Sequence, residues 1–195
     1  MDIRGYIQQG FEAYYDRYNQ LTEEGFCRWM RPGVPDEMKV ADGDEEWSRW
    51  KLVPSNVSKD DIRGLEKEFG LVFPEWYKVF ISTYHHYFDV IPEQGTDEPL
   101  DHIKNMYNPL LCRLGYLPFS WDTEYGSILC LDLSESPDEE NHAIYQIDHE
   151  ILFDFDEENT ERDQLKESLI WLYPNFKAYF DHTFLENETG EARSS

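Results

Sequence analysis

The sequence predicts an α+β fold, a mixed and largely antiparallel sheet flanked by helices, with an N-terminal helical extension. Three observations point there. Apolar residues recur at spacings of three and four before about residue 88 and again after residue 160. Between about 114 and 155 they fall instead into short runs separated by turn residues. The order is helices, then consecutive strands, then a helix, which differs from the alternation of βαβ units.

The first helix is read from Ile3, Ile7, Phe11, Tyr14, Tyr15, Tyr18 and Leu21, which share one face. RPGVPDEMKVADGDEEW follows, rich in Pro, Gly and charge, and reads as a linker or irregular loop. Residues 1–46 are therefore expected to be an extension and linker, 47–186 the main domain, and 187–195, which have almost no apolar content, a disordered tail.

Within the main domain, Ser58 followed by Asp61 approximates a capping box. Ile62, Leu65 and Phe69 form the helical stripe, and Gly70 supplies the stop. Pro74 suits the first position of a second helix whose buried stripe would be Tyr77, Phe80, Ile81, Tyr84 and Phe88. A polar loop around 92–99 precedes a change of period. The runs 114–119 and 127–133 bracket the turn 122–126 and predict a hairpin; the second run is apolar on both faces, hence central. Residues 143–147 and 151–155 flank Asp148-His149 and predict a second hairpin. A final helix is expected from a Thr160/Asp163 cap through Leu165, Leu169, Leu172, Phe176 and Phe180.

Charge restricts function. The chain has 17 Lys and Arg against 41 Asp and Glu, a net charge of −24. Such a chain repels nucleic acid, whose affinity comes from basic side chains displacing counterions, and it repels anionic membrane surfaces. It attracts basic proteins, because a one-signed field steers opposite charge. Cys27, Cys112 and Cys130 are odd in number and widely spaced, which argues for a reducing compartment and free thiols. The N-terminus has no continuous apolar segment of the kind a signal peptide needs, and no stretch is long enough for a membrane span. The expected location is cytoplasmic.

No motif of catalysis or ligation emerges. Asp154, Asp156 and Glu158 match positions one, three and five of a calcium loop. Asn159 then stands where the loop needs Gly, and Leu165 where it needs a bidentate Glu. His85, His86, His102, His142 and His149 share no zinc spacing with one another or with a cysteine, and His85-His86 are expected to line a helix end. Cys130 sits inside an apolar run and is expected to be a buried, inert thiol. Carboxylate pairs are too numerous to single out as acid–base machinery. There is no Gly-rich phosphate loop, GxSxG elbow or HExxH helix. The expectation is a protein without enzymatic activity, metal or cofactor.

Two blocks carry a family resemblance. The run WKLVPSNVSKDDIRGLE over 50–66 continues to GLVFPEWYKVFI over 70–81: a leading tryptophan, then an "I..lE..lg..lP..y..fl" pattern. The second block, LGYLPFSWDTEYGSILCLD over 114–132, has the pattern "lG.lpfa.d..g..iclD", and AIYQIDHE over 143–150 follows as a further strand. In order and spacing these resemble the SMI1/KNR4 (SUKH) superfamily over about residues 47–185. One departure is Tyr84-His85-His86-Tyr87, where the family often has a glycine-containing turn. The resemblance implies a helix-flanked sheet without catalytic machinery. It implies an immunity protein that neutralises a toxin domain, often a nuclease, or, as the alternative, a regulatory scaffold with several weak partners. An uncharacterised hydrolase is a remoter alternative.

Residues 132–163 hold 13 acidic side chains and one base, Arg162. Within them Tyr145, Ile147, Ile151, Phe153 and Phe155 alternate with Asp148, Glu150, Asp154 and Asp156, and period two sends the sets to opposite faces of a strand. Rows of like charge cost stability, and a face shaped only for solubility would intersperse lysines. Asp148, Glu150, Asp154, Asp156, Glu157 and Glu158 are therefore the candidate residues for binding a basic protein partner, a cognate toxin domain. A merely solvated face and protection of a sheet edge are the other readings of the same residues.

Overall fold

The computed structural model describes residues 2–21, 28–30, 34–42, 47–122, 126–134 and 138–186. Its centre is a four-stranded sheet in the order β6-β7-β8-β9, from β6 (Tyr116–Asp122), β7 (Ser127–Asp132), β8 (Ile144–Asp148) and β9 (Ile170–Tyr173), with every pairing antiparallel. The fold is α+β, as the order of sequence patterns requires. β7 lies between two neighbours and is buried along most of its length, which is why it is apolar at successive positions.

Each face of this sheet covers a separate core. Leu117, Phe119, Leu131 and Ile144 point to the larger one, which they share with helices α1 (Ile3–Leu21), α2 (Lys59–Phe69), α3 (Glu75–Ile81) and α7 (Phe176–Phe180). Tyr116, Ile128, Cys130 and Ile147 point to the smaller one, closed by Leu110 and Leu111 of α5 (Pro109–Arg113) and Leu165 of α6 (Arg162–Lys166). A one-turn helix, α4 (Asp101–Lys104), precedes α5.

Helix α1 is built into the larger core. Ile7 and Phe11 are fully buried, and Phe11 stacks on Phe80 at 5.2 Å and Phe88 at 6.0 Å. Its Gly10 is needed for close approach, because a Cβ there would meet the Phe180 ring at 2.4 Å. The stretch expected to be an irregular linker contains a strand. β2 (Lys39–Asp42) pairs with β3 (Trp47–Trp50), and β3 also pairs with β1 (Arg28–Met30). Composition reads Pro and Gly as loop, but neither residue interrupts Lys39-Val40-Ala41-Asp42, so the backbone is free to join a ladder there.

The caps of α2 appear as read. Ser58 Oγ accepts from the Asp61 amide at 3.2 Å, the Asp61 carboxylate accepts from the Ser58 amide at 2.8 Å, and Gly70 ends the helix at φ 67°. Helix α3 stops at Ile81, earlier than its stripe predicts, and Pro74 is its N-cap. Tyr84-His85 form β5 and pair with β4 (Val53–Pro54), so Tyr84 and Phe88 reach the core from extended chain. His85 and His86 are both buried, and neither lines a helix end. Since Pro74 has no side-chain oxygen to cap α3, Glu139 does so from across the chain. Its carboxylate accepts from the Glu75 amide at 2.6 Å and the Trp76 amide at 3.3 Å.

The single C-terminal helix is corrected to three elements. α6 starts at Arg162, after Glu161, whose amide donates to the Gln164 side chain at 2.7 Å; Thr160 is buried and is not the cap. Ile170-Trp171-Leu172-Tyr173 then form β9, because β-branched and aromatic residues favour the pleated edge and Pro174 holds Tyr173 extended. Asn175 caps α7, accepting from Ala178 at 2.9 Å, and a π-turn (Asp181–Glu186) completes it. Leu165, Leu172, Phe176 and Phe180 thus do pack inward, but from different elements. The tail 187–195 and Cys27 lie outside the described residues.

Candidate functional site, an acidic turn beside exposed aromatics

The acidic stretch leaves β8 at Asp148 and does not return as a strand. Residues Ile151–Asp154 form a 3-10 turn, its bonds running from Leu152 N to His149 O at 3.2 Å and from Phe153 N to Glu150 O at 3.2 Å. This overturns the second hairpin and its two faces. A turn of three residues puts Leu152 and Phe155 on one side, packed against the smaller core, and turns Phe153 outward. Phe153 is 82% exposed where alternation would have buried it.

Local side chains explain the turn. Asp148 Oδ1 accepts from the Glu150 amide at 2.8 Å and bends the chain. The His149 ring bonds the Gly126 carbonyl through Nδ1 at 2.6 Å; a carbonyl only accepts, so Nδ1 carries the proton. Gly126 has φ 64°, and a Cβ there would sit 2.7 Å from that nitrogen, so the hairpin turn and the histidine both require glycine. Asp156 Oδ1 accepts from the amides of Glu158 at 2.9 Å and Asn159 at 2.8 Å and from Asn159 Nδ2 at 3.0 Å. Those donors, the Asn159 amide foremost, hold its carboxyl below the usual carboxylate range. Arg113 pins the far end, donating to the carbonyls of Glu157 and Thr160, each at 2.7 Å.

The six candidate acids therefore divide. Asp148 and Asp156 each spend Oδ1 on shaping the turn, whereas Glu150, Asp154, Glu157 and Glu158 present exposed carboxylates from a backbone held at both ends. Beside them the structure adds residues that sequence alone did not single out. Trp121, at the end of β6, stands 5.2 Å from the His149 ring, and His149 stands 6.3 Å from Phe153. These rings, with Ile128, Leu152 and Glu157, surround a hollow of about 230 Å³. No signal in the sequence locates this group, because a β-bulge between Pro118 and Ser120 and the 3-10 turn decide which way the rings face.

Elsewhere, a hollow of about 520 Å³ lies between the starts of α1, α3 and α7; the Glu139 carboxylate in its lining is already engaged by α3. Among the described residues, no group of three or more His, Cys, Asp or Glu side chains is placed to hold a metal ion. Burial raises the thiols of Cys112, to about 11, and Cys130, so both are protonated and inert. No helix among the described residues is long and apolar enough to cross a membrane.

A family model for SMI1 / KNR4 family (SUKH-1) matches residues 56–182. The chain belongs to the SMI1 / KNR4 family (SUKH-1). The match takes in α2, the four-stranded sheet, the acidic turn and α7, and leaves α1 and β1–β4 ahead of it. Within this SUKH-1 chain, the family region thus depends on a helix outside the match to fill its larger core. No curated protein matches the chain.

Proposed function

We propose that this SUKH-1 protein is an immunity-type binding module that neutralises a basic, nuclease-like toxin domain in the cytoplasm, with no catalytic step of its own. The observation behind this reading is the exposed carboxylate set Glu150, Asp154, Glu157 and Glu158, fixed on a hydrogen-bonded turn next to exposed aromatic rings. Rigid charge costs less entropy on binding than flexible charge, and its field speeds encounter with a basic surface. Asp148 and Asp156 belong to the same surface as its scaffold. In this reading residues 47–186 are the binding domain, and α1 completes its core.

The test is co-expression with the toxin encoded beside this protein. The expected result is rescue of growth and a complex that survives gel filtration, both lost on combined reversal Asp154→Lys, Glu157→Lys and Glu158→Lys. Rescue that persists in the triple variant rules this surface out, and failure of the unaltered protein to rescue rules the immunity reading out. Removing residues 1–46 does not discriminate a scaffold role, since it strips Ile7 and Phe11 from the core.

A further inference from the structure

We infer that the partner is held by one large apolar side chain, seated in the hollow between Trp121, His149 and Phe153, with lysines or arginines on either side of it. The inference rests on the proposed acidic surface and adds what the carboxylates by themselves do not require. Charge alone gives steering and a salt-sensitive contact; tight interfaces take most of their energy from a few desolvated aromatic anchors.

The arrangement here has both parts. Phe153 is 82% exposed and Trp121 38%, so both rings present apolar surface to water at the mouth of the hollow. The two rings flank His149, whose orientation is fixed by Gly126. Ile128 and Leu152 make the floor apolar. A hollow of about 230 Å³ suits a single side chain such as Phe, Leu or Met, and is too small for most free ligands. Glu157 stands in its wall, and the exposed Glu150 and Asp154 adjoin His149 and Phe153 along the chain, so a neutral or acidic apolar segment would meet uncompensated carboxylates. Complementarity thus selects one occupant: an amphipathic basic segment of a protein partner.

The test uses two labelled nonapeptides of equal charge, four lysines on each side of a central phenylalanine or a central glycine, titrated against the full-length chain by fluorescence anisotropy. The phenylalanine peptide is expected to bind roughly tenfold tighter. In a Trp121→Ser/Phe153→Ser variant that advantage should vanish while the glycine peptide binds as before. Asp154→Lys/Glu157→Lys should weaken both peptides alike. Equal binding of the two peptides to the unaltered protein overturns the anchor, and so does an advantage that survives Trp121→Ser/Phe153→Ser. If binding is unchanged by charge reversal, the acidic surface itself fails, which separates the two ideas. Both rings are exposed, and an unchanged thermal midpoint verifies that the variants fold.

Discussion

The Arg162 guanidinium closes on the carboxylate of Asp132, a residue only 1% exposed. It also donates to the Leu114 carbonyl at 2.9 Å and lies over the Tyr116 ring at 4.4 Å, while Asp132 accepts from Ser134 Oγ at 2.9 Å. The one base of residues 132–163 is thus spent on the fold, and one of the 13 acids with it. Arg162→Met should leave Asp132 buried without its cation and cost about 3 kcal/mol or more in urea unfolding. A loss below about 1 kcal/mol would show that the pair is dispensable.

Phe11 measures how far α1 belongs to the core. Its ring meets Phe80, Phe88 and Phe184, so Phe11→Ala should cost about 3–5 kcal/mol and lower the thermal midpoint of the whole domain in one transition. A separate early transition, with the rest of the domain unaffected, would show α1 to be an independent extension.

The acidic turn predicts a division of labour that hydrogen exchange can read. Asp156→Ala should speed exchange of the Glu158 and Asn159 amides, because their acceptor is removed. Asp154→Lys should leave those amides as protected as before, since its side chain is exposed. Similar effects from both substitutions would refute the assignment of Asp156 to shape and Asp154 to surface.

His86 predicts acid sensitivity. Burial, with the neighbouring His85 adding to it, pushes its pKa down to about 3, against 6.5 for a free histidine. The unfolded chain therefore binds the extra proton first as pH falls, so stability is full above about 6.5 and declines below it, by about 1.4 kcal/mol per pH unit from this group down to about pH 3. His86→Leu should flatten the dependence over that window, as followed by urea midpoints at pH 7, 6 and 5. An unchanged slope would mean that His86 already takes up its proton in the folded state.

Much of the fold was legible along the chain because its signals are local. The Ser58/Asp61 box, the Gly70 stop, the β6–β7 hairpin and the central place of β7 follow from residues within a few positions of one another. The misreadings share one cause, that period alone does not fix an element when partners lie far away. Leu165, Leu172, Phe176 and Phe180 keep helical spacing yet belong to two helices and a strand, since β8 offers Ile170–Tyr173 a ladder and Pro174 breaks the run. The alternation from Tyr145 to Phe155 likewise ends at Asp148, whose carboxylate bonds the Glu150 amide and starts a turn.

By itself, the sequence determined the family, the α+β order, the net charge of −24 and the concentration of acids over 132–163. Tertiary structure decided which of those acids are spent on the fold. Asp132 is buried under Arg162, Glu139 caps α3, and Asp148 and Asp156 each bind their own turn through Oδ1, whereas Glu150, Asp154, Glu157 and Glu158 are exposed, with Glu157 in the hollow lined by Trp121 and Phe153. The physical reason is that charge is a property of the residue, whereas the availability of a carboxylate depends on which backbone amides and cations the fold brings within hydrogen-bond reach.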